Sequence, residues 1–211
     1  MLRTMAGVMM SMTTRIDAGA QSRALWLSTF AFTICFAVWT IFAIIGIQIK
    51  AELKLTETQF GLLVGTPILT GSLIRLILGI WSDQYGGRLV CMLTMLSAAL
   101  MTALLTLAYD YPTFLLAALG VGIAGGSFSV GVAYVAKWFP KEKQGTALGI
   151  FGAGNVGAAV TKFAAPTIMV AYGWKTVALI WAAALVLTVI ILAVSALAQW
   201  SLRHLGRNVI R

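Results

Sequence analysis

Six long apolar runs, separated by short polar breaks, account for most of the chain. They cover about 24–49, 59–81, 89–109, 112–139, 146–172 and 175–200. Each is near or above the roughly 20 residues that a helix needs to cross about 30 Å of hydrocarbon. The longer runs have room to tilt or to extend past the bilayer. The breaks between them are short, so neighbours are predicted to run antiparallel, and no linker marks a second domain. The pattern therefore predicts an all-α, polytopic membrane protein: a six-helix transmembrane bundle over 24–200, with a polar segment at 1–23 and a basic tail at 201–211. A cleaved signal peptide does not fit, because the first apolar run is too long and more spans follow it. Several early methionines, from Met5 to Met12, leave the true start open.

Composition agrees. Of 211 residues, 60% are hydrophobic and 10% charged, with mean hydropathy +0.95, whereas about a quarter of a soluble domain is charged. The net charge of +9 invites a nucleic-acid reading, but the basic residues flank apolar spans instead of forming one patch. Placing the N-terminus in the cytoplasm puts ten of the 15 Lys and Arg in cytoplasmic flanks, against Lys50, Lys54 and Lys175 outside. That asymmetry predicts an inner (cytoplasmic) membrane protein with both termini inside. Trp26, Trp81, Trp138 and Trp200 then fall near the inner interface and Trp174 near the outer one. Cys35 and Cys91 lie in apolar runs without metal-ligand spacing and read as packing residues. His204 lies in the tail. No nucleophile–base pair, metal cluster or phosphate loop is present, so neither an enzyme nor a cofactor is expected. The glycines of 149–157 are not a Rossmann fingerprint, since no strand precedes them.

Polar groups inside the spans carry the chemistry. Residues 149–166 read G-I-F-G-A-G-N-V-G-A-A-V-T-K-F-A-A-P. Interior glycines cost a soluble helix roughly 1 kcal/mol each, but in a membrane they let helices approach closely. Gly149, Ala153, Gly157, Thr161 and Ala165 recur every four positions and predict a packing stripe. Asn155 and Lys162, seven residues apart, share another face. Arg75 lies about 9 Å from the inner end of span two and Asn155 about 13 Å into span five, so their depths are similar. Lys162 is about 15 Å from the far end of its helix. Arg75 is either a snorkelling side chain or an interior-facing functional one, with Gly71, Ser72 and Gly79 favouring a packed face. Asn155 is equally an interhelical hydrogen bond or a ligand. All six acids, Asp17, Glu52, Glu57, Asp83, Asp110 and Glu142, fall in loops or at span ends. No carboxylate is left in a span core to bind a cation or relay a proton, so the pathway is positive and its substrate an anion.

Between spans two and three stands G-I-W-S-D-Q-Y-G-G-R, with Gly79, Asp83, Gly86 and Arg88. Gly79 is expected to allow close packing, Gly86 and Gly87 a tight turn, and Asp83 to meet a helix end or a cation. The stretch resembles the loop motif of the major facilitator superfamily, with Gln84 and Gly87 where that family usually has basic residues. K-W-F-P-K-E-K-Q-G-T-A-L-G-I at 137–150 resembles the same superfamily's loop between spans four and five. G-A-G-N-V-G at 152–157 resembles the nitrate signature of the nitrate/nitrite porter (NarK-type) family. That resemblance implies a substrate-binding role for Arg75, Asn155, Gly154 and Gly157, and for Phe128 of G-G-S-F-S-V-G a ring against the flat anion. Without it, Phe128 reads as core packing. Lys162 has no counterpart in the family pattern and is a candidate pathway cation. A planar guanidinium fork suits nitrate or nitrite, whose oxygens accept hydrogen bonds in one plane.

Members of that family have about twelve spans in two halves related by an axis along the membrane normal. The six runs here resemble the N-terminal half, and the family's second half supplies another arginine to the same anion. The chain is therefore expected to be a fragment, to work with a separately encoded half, or to pair with a second copy in parallel. A non-transporting assembly or regulatory partner, with Arg75 and Asn155 as interhelical glue, is the alternative.

Overall fold

The computed structural model describes residues 18–209, with side chains through residue 201. Segment 1–17 with Arg3 and Arg15, and the side chains of Arg203, His204, Arg207 and Arg211, lie outside what is described. Among the described residues there is no strand. Helices α1 (Ala18–Trp39) and α2 (Phe42–Leu53) form the first span, and α3 (Glu57–Trp81) the second. Then come α4 (Gly87–Leu104), α5 (Tyr111–Gly122) with α6 (Ser127–Trp138), α7 (Lys141–Gly152) with α8 (Val156–Tyr172), and α9 (Trp174–Val209).

Five helical stretches, the first with a turn at 40–41, are long and apolar enough to cross a membrane among the described residues. One of them, Glu57–Leu107, has 51 residues. At 1.5 Å per residue it would be about 75 Å long if straight, more than twice the hydrocarbon thickness. It bends at the π-helical turn Ser82–Gly86, where Gly86 takes φ 90° and ψ 132°. No other residue adopts that backbone as cheaply. Beyond the turn the partners change: α3 packs on α5 and α6, whereas α4 packs chiefly on α9 and α5. The six apolar runs thus become six rods, with two of them joined through a turn that keeps helical pairing.

Caps fix the opposite end. Thr56 and Gln59 form a capping box at the start of α3, and Asp110 and Thr113 form one at α5. The Thr113 hydrogen bonds hold the Asp110 carboxyl below the usual carboxylate range. Lys50 pairs with Glu57 at 2.6 Å, and Trp174 donates from Nε1 to Glu52 at 3.2 Å. Trp174 is buried against Phe114, so it closes the bundle end instead of standing in an exposed aromatic belt.

The main core joins Phe42, Ile45, Leu63, Met95, Val121 and Leu185; a second cluster surrounds Phe32 and Phe151. Outward-facing residues are equally apolar, with Leu76, Phe163 and Val170 among the most exposed. This arrangement suits a protein solvated by lipid, where burial does not separate apolar from polar. Enclosure is uneven. The α5–α6 span has 61% of its apolar window buried and the α7–α8 span 28%, so the latter borders the bundle with much of its surface open.

The expected stripe in 149–166 is displaced. Gly149 and Ala153 are exposed, while Ala147, Phe151, Gly154, Gly157, Thr161 and Ala165 are buried. The cause is the 3₁₀ turn at Ala153–Asn155. Three residues per turn instead of 3.6 rotate the preceding helix relative to the following one, so the buried series steps by three through Phe151, Gly154 and Gly157. At Gly157 an added Cβ would overlap the Thr33 carbonyl oxygen of α1 and stand 2.9 Å from Ala37 N. Gly157→Ala is expected to destabilise the protein by at least about 1–3 kcal/mol, the usual range for overpacking. Gly152→Ala, with nothing within 4 Å of its Cβ position, should be neutral or slightly stabilising. Thermal unfolding of the two variants in detergent checks the contrast, and equal midpoints would refute the close contact.

Candidate functional site

Arg75 lies on α3 and is half-buried. Its Nε donates to the Gly125 carbonyl oxygen at 3.2 Å. Gly125 belongs to the 3₁₀ turn Ile123–Gly126, which joins α5 to α6. The guanidinium carbon lies 5.4 Å from the Trp39 ring centre and 5.5 Å from that of Phe128, within the range of cation–π attraction. No described carboxylate pairs with it. An arginine has five N–H donors, and one of these is used here. Two rings and a carbonyl therefore orient the guanidinium without neutralising it, and most of its fork is left for a ligand. The anchored Nε turns the side chain toward the Ile123–Gly126 turn, between the rings of Trp39 and Phe128.

The surroundings hold that pose. Ser129 Oγ, on α6, donates either to the Arg75 carbonyl oxygen or to that of Gly126, each at 3.0 Å. Trp39 Nε1 donates to the Pro67 carbonyl oxygen at 2.8 Å. Its indole fits a notch made by two glycines: a Cβ at Gly71 or at Gly125 would come within 2.6 Å of Trp39 Nε1. Phe128 continues into a cluster of rings, 5.5 Å from Phe32 and 6.1 Å from Phe151, and Phe36 links Phe32 to Trp39. Phe128 is thus both a core residue and one face of the arginine's enclosure.

Trp39, Gly125 and Ser129 escaped the reading of the sequence. A signal was available in span one. Phe32, Phe36 and Trp39 have i, i+4, i+7 spacing, which puts three rings on one helical face, and Trp39 lies far from either predicted interface, where tryptophans normally collect.

Asn155 is exposed, and its Nδ2 donates to the Gly152 carbonyl oxygen at 2.8 Å. Among the described residues this local bond is its side chain's hydrogen bond, and none runs to another span. Gly154 and Gly157 are not open positions beside it. A Cβ at Gly154 would meet Phe32 at 2.5 Å, and both glycines are buried against α1. Their part is to bring α8 onto α1, and what they do for access at Asn155 follows from that approach. Lys162 is exposed on α8 without a described hydrogen-bond or ion-pair partner. Arg75 and Phe128 are brought together. Asn155 and Lys162 are not in contact with that pair: α3 packs on α5 and α6, and α8 packs chiefly on α1 and α9. The two groups flank α1.

The Major Facilitator Superfamily model matches residues 27–204. The chain belongs to that superfamily. Its helices also match a crystal structure of a bacterial homologue of the human lysosomal transporter Spinster, with TM-score 0.69 at 20% identity over 82% of this chain and 42% of that one. At that identity the likeness speaks to the fold. Among curated relatives, the chain is 45% identical over 177 residues to the "Probable nitrate/nitrite antiporter NarK1" of Thermus thermophilus, covering 78% of this chain and 40% of the relative. It is 35% identical to the "Nitrite extrusion protein" of Bacillus subtilis (71% and 38%) and 34% identical to the "Probable nitrate transporter NarT" of Staphylococcus carnosus (72% and 39%). The chain spans about two fifths of the length of these relatives. Together with its apolar rods, membership makes it a multi-pass membrane protein.

The superfamily loop motif has a definite geometry here. Asp83 pairs with Lys137 at the end of α6, at 2.8 Å, with both side chains more than half exposed. That makes it a surface pair of small energetic value. Gly86 supplies the positive φ. The close contact expected at Gly79 occurs instead at Gly87, where a Cβ would stand 2.8 Å from Tyr134. At Gly79 the nearest atom is 3.9 Å away, so a side chain has room. The π turn has tucked the second glycine, not the first, against α6.

Gly125→Ala should displace the Trp39 indole from Arg75 at a cost of about 1–3 kcal/mol. Adding Trp39→Phe, a smaller ring, should recover part of that loss, giving a coupling of about 0.5 kcal/mol or more in a double-mutant cycle. Strictly additive thermal shifts would show that the two residues do not share the notch.

Proposed function

We propose that this chain forms one wall of a nitrate and nitrite pathway, as the N-terminal half of a porter. The observation that carries the proposal is Arg75: a half-buried guanidinium, faced by Trp39 and Phe128, with one donor committed to Gly125 and no carboxylate partner. Nitrate is flat, carries one charge and accepts hydrogen bonds in its own plane. It can meet the remaining guanidinium donors edge-on, while a flanking ring covers its apolar face. The relatives' names point to the same anions. Asn155, whose Oδ1 and second N–H are uncommitted, and Lys162 extend a polar strip along the open face of α8 toward a second unit.

That second unit completes the pathway. It is either another six-span segment with its own arginine or a second copy of this chain, and transport requires it. The chain acts here as part of a transporter, not an enzyme, with both ends of the 24–200 region on the cytoplasmic side of the inner membrane. The lysine and arginine asymmetry supports that orientation. Because no acid lies at mid-depth, the anion itself carries the charge that moves, and the substrate-free pathway is net positive.

Nitrate should raise the thermal midpoint of the purified chain in lipid nanodiscs, and chloride should do so less. Arg75→Lys keeps the charge but not the planar fork, and should weaken the nitrate response about tenfold or more, the value of a lost bidentate contact near 1.4 kcal/mol. The assembly-partner reading makes Arg75 purely structural glue. It predicts a lower midpoint in Arg75→Lys with no dependence on nitrate in either protein, and that result would overturn the anion site.

A further inference from the structure

A second arginine lacks a counter-charge. Arg88 follows the Gly86 turn at the start of α4 and is half-buried. Its Nη2 donates to Gln199 Oε1 at 3.1 Å and lies 3.4 Å from the Tyr134 hydroxyl oxygen. Both partners are neutral. Asp83, the acid of the same turn, is engaged with Lys137, and no described carboxylate pairs with Arg88. A guanidinium partly withdrawn from water with neutral acceptors alone is incompletely compensated. An anion would complete that compensation.

The space for it is present. Arg88 opens onto an alcove of about 420 Å³ bordered by Tyr85, Leu89, Met92, Tyr134, Trp138 and Gln199. Behind it, a smaller chamber of about 40 Å³ shares Arg88, Tyr134 and Gln199 with the alcove and runs inward between α1, α4, α6 and α9. The chamber wall is mostly apolar, with Ser28, Ser127 and Ser195 adding hydroxyls along it. At the mouth stand two aromatic side chains of the kind that settle at headgroup level, Tyr85 and Trp138. In the sequence, Arg203 and Arg207 follow Gln199 at four-residue intervals.

One further feature separates a lipid from a free ion. From the alcove, Leu89, Leu93, Leu96 and Leu100 run down α4, all exposed. Their i, i+4, i+7, i+11 spacing makes one continuous apolar ridge. An inorganic phosphate has no use for that ridge, whereas an acyl chain does. We propose that the Arg88 alcove holds the phosphate of an anionic phospholipid, with its acyl chains lying along the leucine ridge of α4. The two non-bridging phosphate oxygens match the guanidinium fork, and the Tyr134 hydroxyl supplies another donor. Basic pockets between membrane helices are suited to such headgroups. This assignment is independent of the anion site at Arg75.

Native mass spectrometry of the full chain released from nanodiscs tests it. Phosphatidylglycerol should be retained at least about fivefold better than phosphatidylcholine, and Arg88→Gln should remove that preference. Gln199→Glu places a carboxylate where the neutral amide stands, satisfies Arg88 within the chain, and should expel the anionic lipid while leaving the protein folded. That second variant decides the matter if Arg88→Gln does not fold. Lys54→Gln, at the other end of the bundle, should retain phosphatidylglycerol as the unaltered protein does. Unchanged retention in Gln199→Glu, or equal loss in Lys54→Gln, would overturn the assignment. So would stabilisation by inorganic phosphate alone that matches that by the lipid, which would make the alcove a free-anion site.

Discussion

The approach of α8 to α1 sets the rest of the bundle. Gly154 and Gly157 bring the two backbones so close that neither position has space for a Cβ. One turn later, Thr161 Oγ donates to the Ala37 carbonyl oxygen at 2.7 Å and accepts from Trp181 Nε1 at 2.9 Å. That carbonyl is available because α1 breaks at Thr40–Ile41, where Ile41 N turns to Val38 O at 3.0 Å. Inside a bilayer an unpaired carbonyl is costly, and a second hydroxyl also stands there: Thr40 Oγ donates either to Ala37 O at 3.2 Å or to Phe36 O at 3.1 Å. The Thr161 hydroxyl joins spans one, five and six at the point where α1 ends. The residue at that end is Trp39, whose indole occupies the Gly71–Gly125 notch and faces Arg75. The glycines of span five thus act on the arginine of span two at one remove, through the placement of α1.

Charge is handled differently at the ends of the bundle and in its interior. At the ends, lysines meet carboxylates in the ordinary way, as in Lys50–Glu57 and Lys137–Asp83. In the interior, Arg75 is held by ring faces and a carbonyl. Those contacts are worth about 0.5–2 kcal/mol per ring; they fix the direction of the guanidinium and leave its unit charge intact. A carboxylate in the same place would hold the side chain more tightly and cancel the field that attracts an anion. The uncharged partners thus orient the guanidinium without neutralising it.

How much of this was legible in the sequence depends on the length scale of the signal. The rods were legible because an apolar run of about 20 residues in a chain with charges confined to its gaps has few other solutions. Arg75 stood out because a charge inside such a run is expensive. The details lost were those decided by a local change in helical pairing. Nothing in residues 39–41 is a glycine or proline, yet the helix breaks there. The 3₁₀ turn at Ala153–Asn155 moved the buried stripe from Gly149 and Ala153 to Phe151 and Gly154. The π turn at Ser82–Gly86 transferred the close contact from Gly79 to Gly87. A periodicity argument assumes one pitch throughout, and each of these sites changes it.

The same inventory of charges bears on what faces the open side of α8. Every acid of this chain lies in a loop or at a span end, so a second copy would bring to mid-depth only another Arg75 and another Lys162. At 6 Å, two like charges repel by about 0.7 kcal/mol in water and by about 3 kcal/mol at an effective dielectric near 20. Four cations around one axis would therefore separate the copies unless an anion or a wide aqueous lumen lay between them. A distinct six-span unit is under no such restriction, since it can present a single arginine and close the remaining surface with apolar contacts. A symmetric pair would thus close around an anion and spring apart when empty, whereas an unlike pair can close with the site either empty or filled.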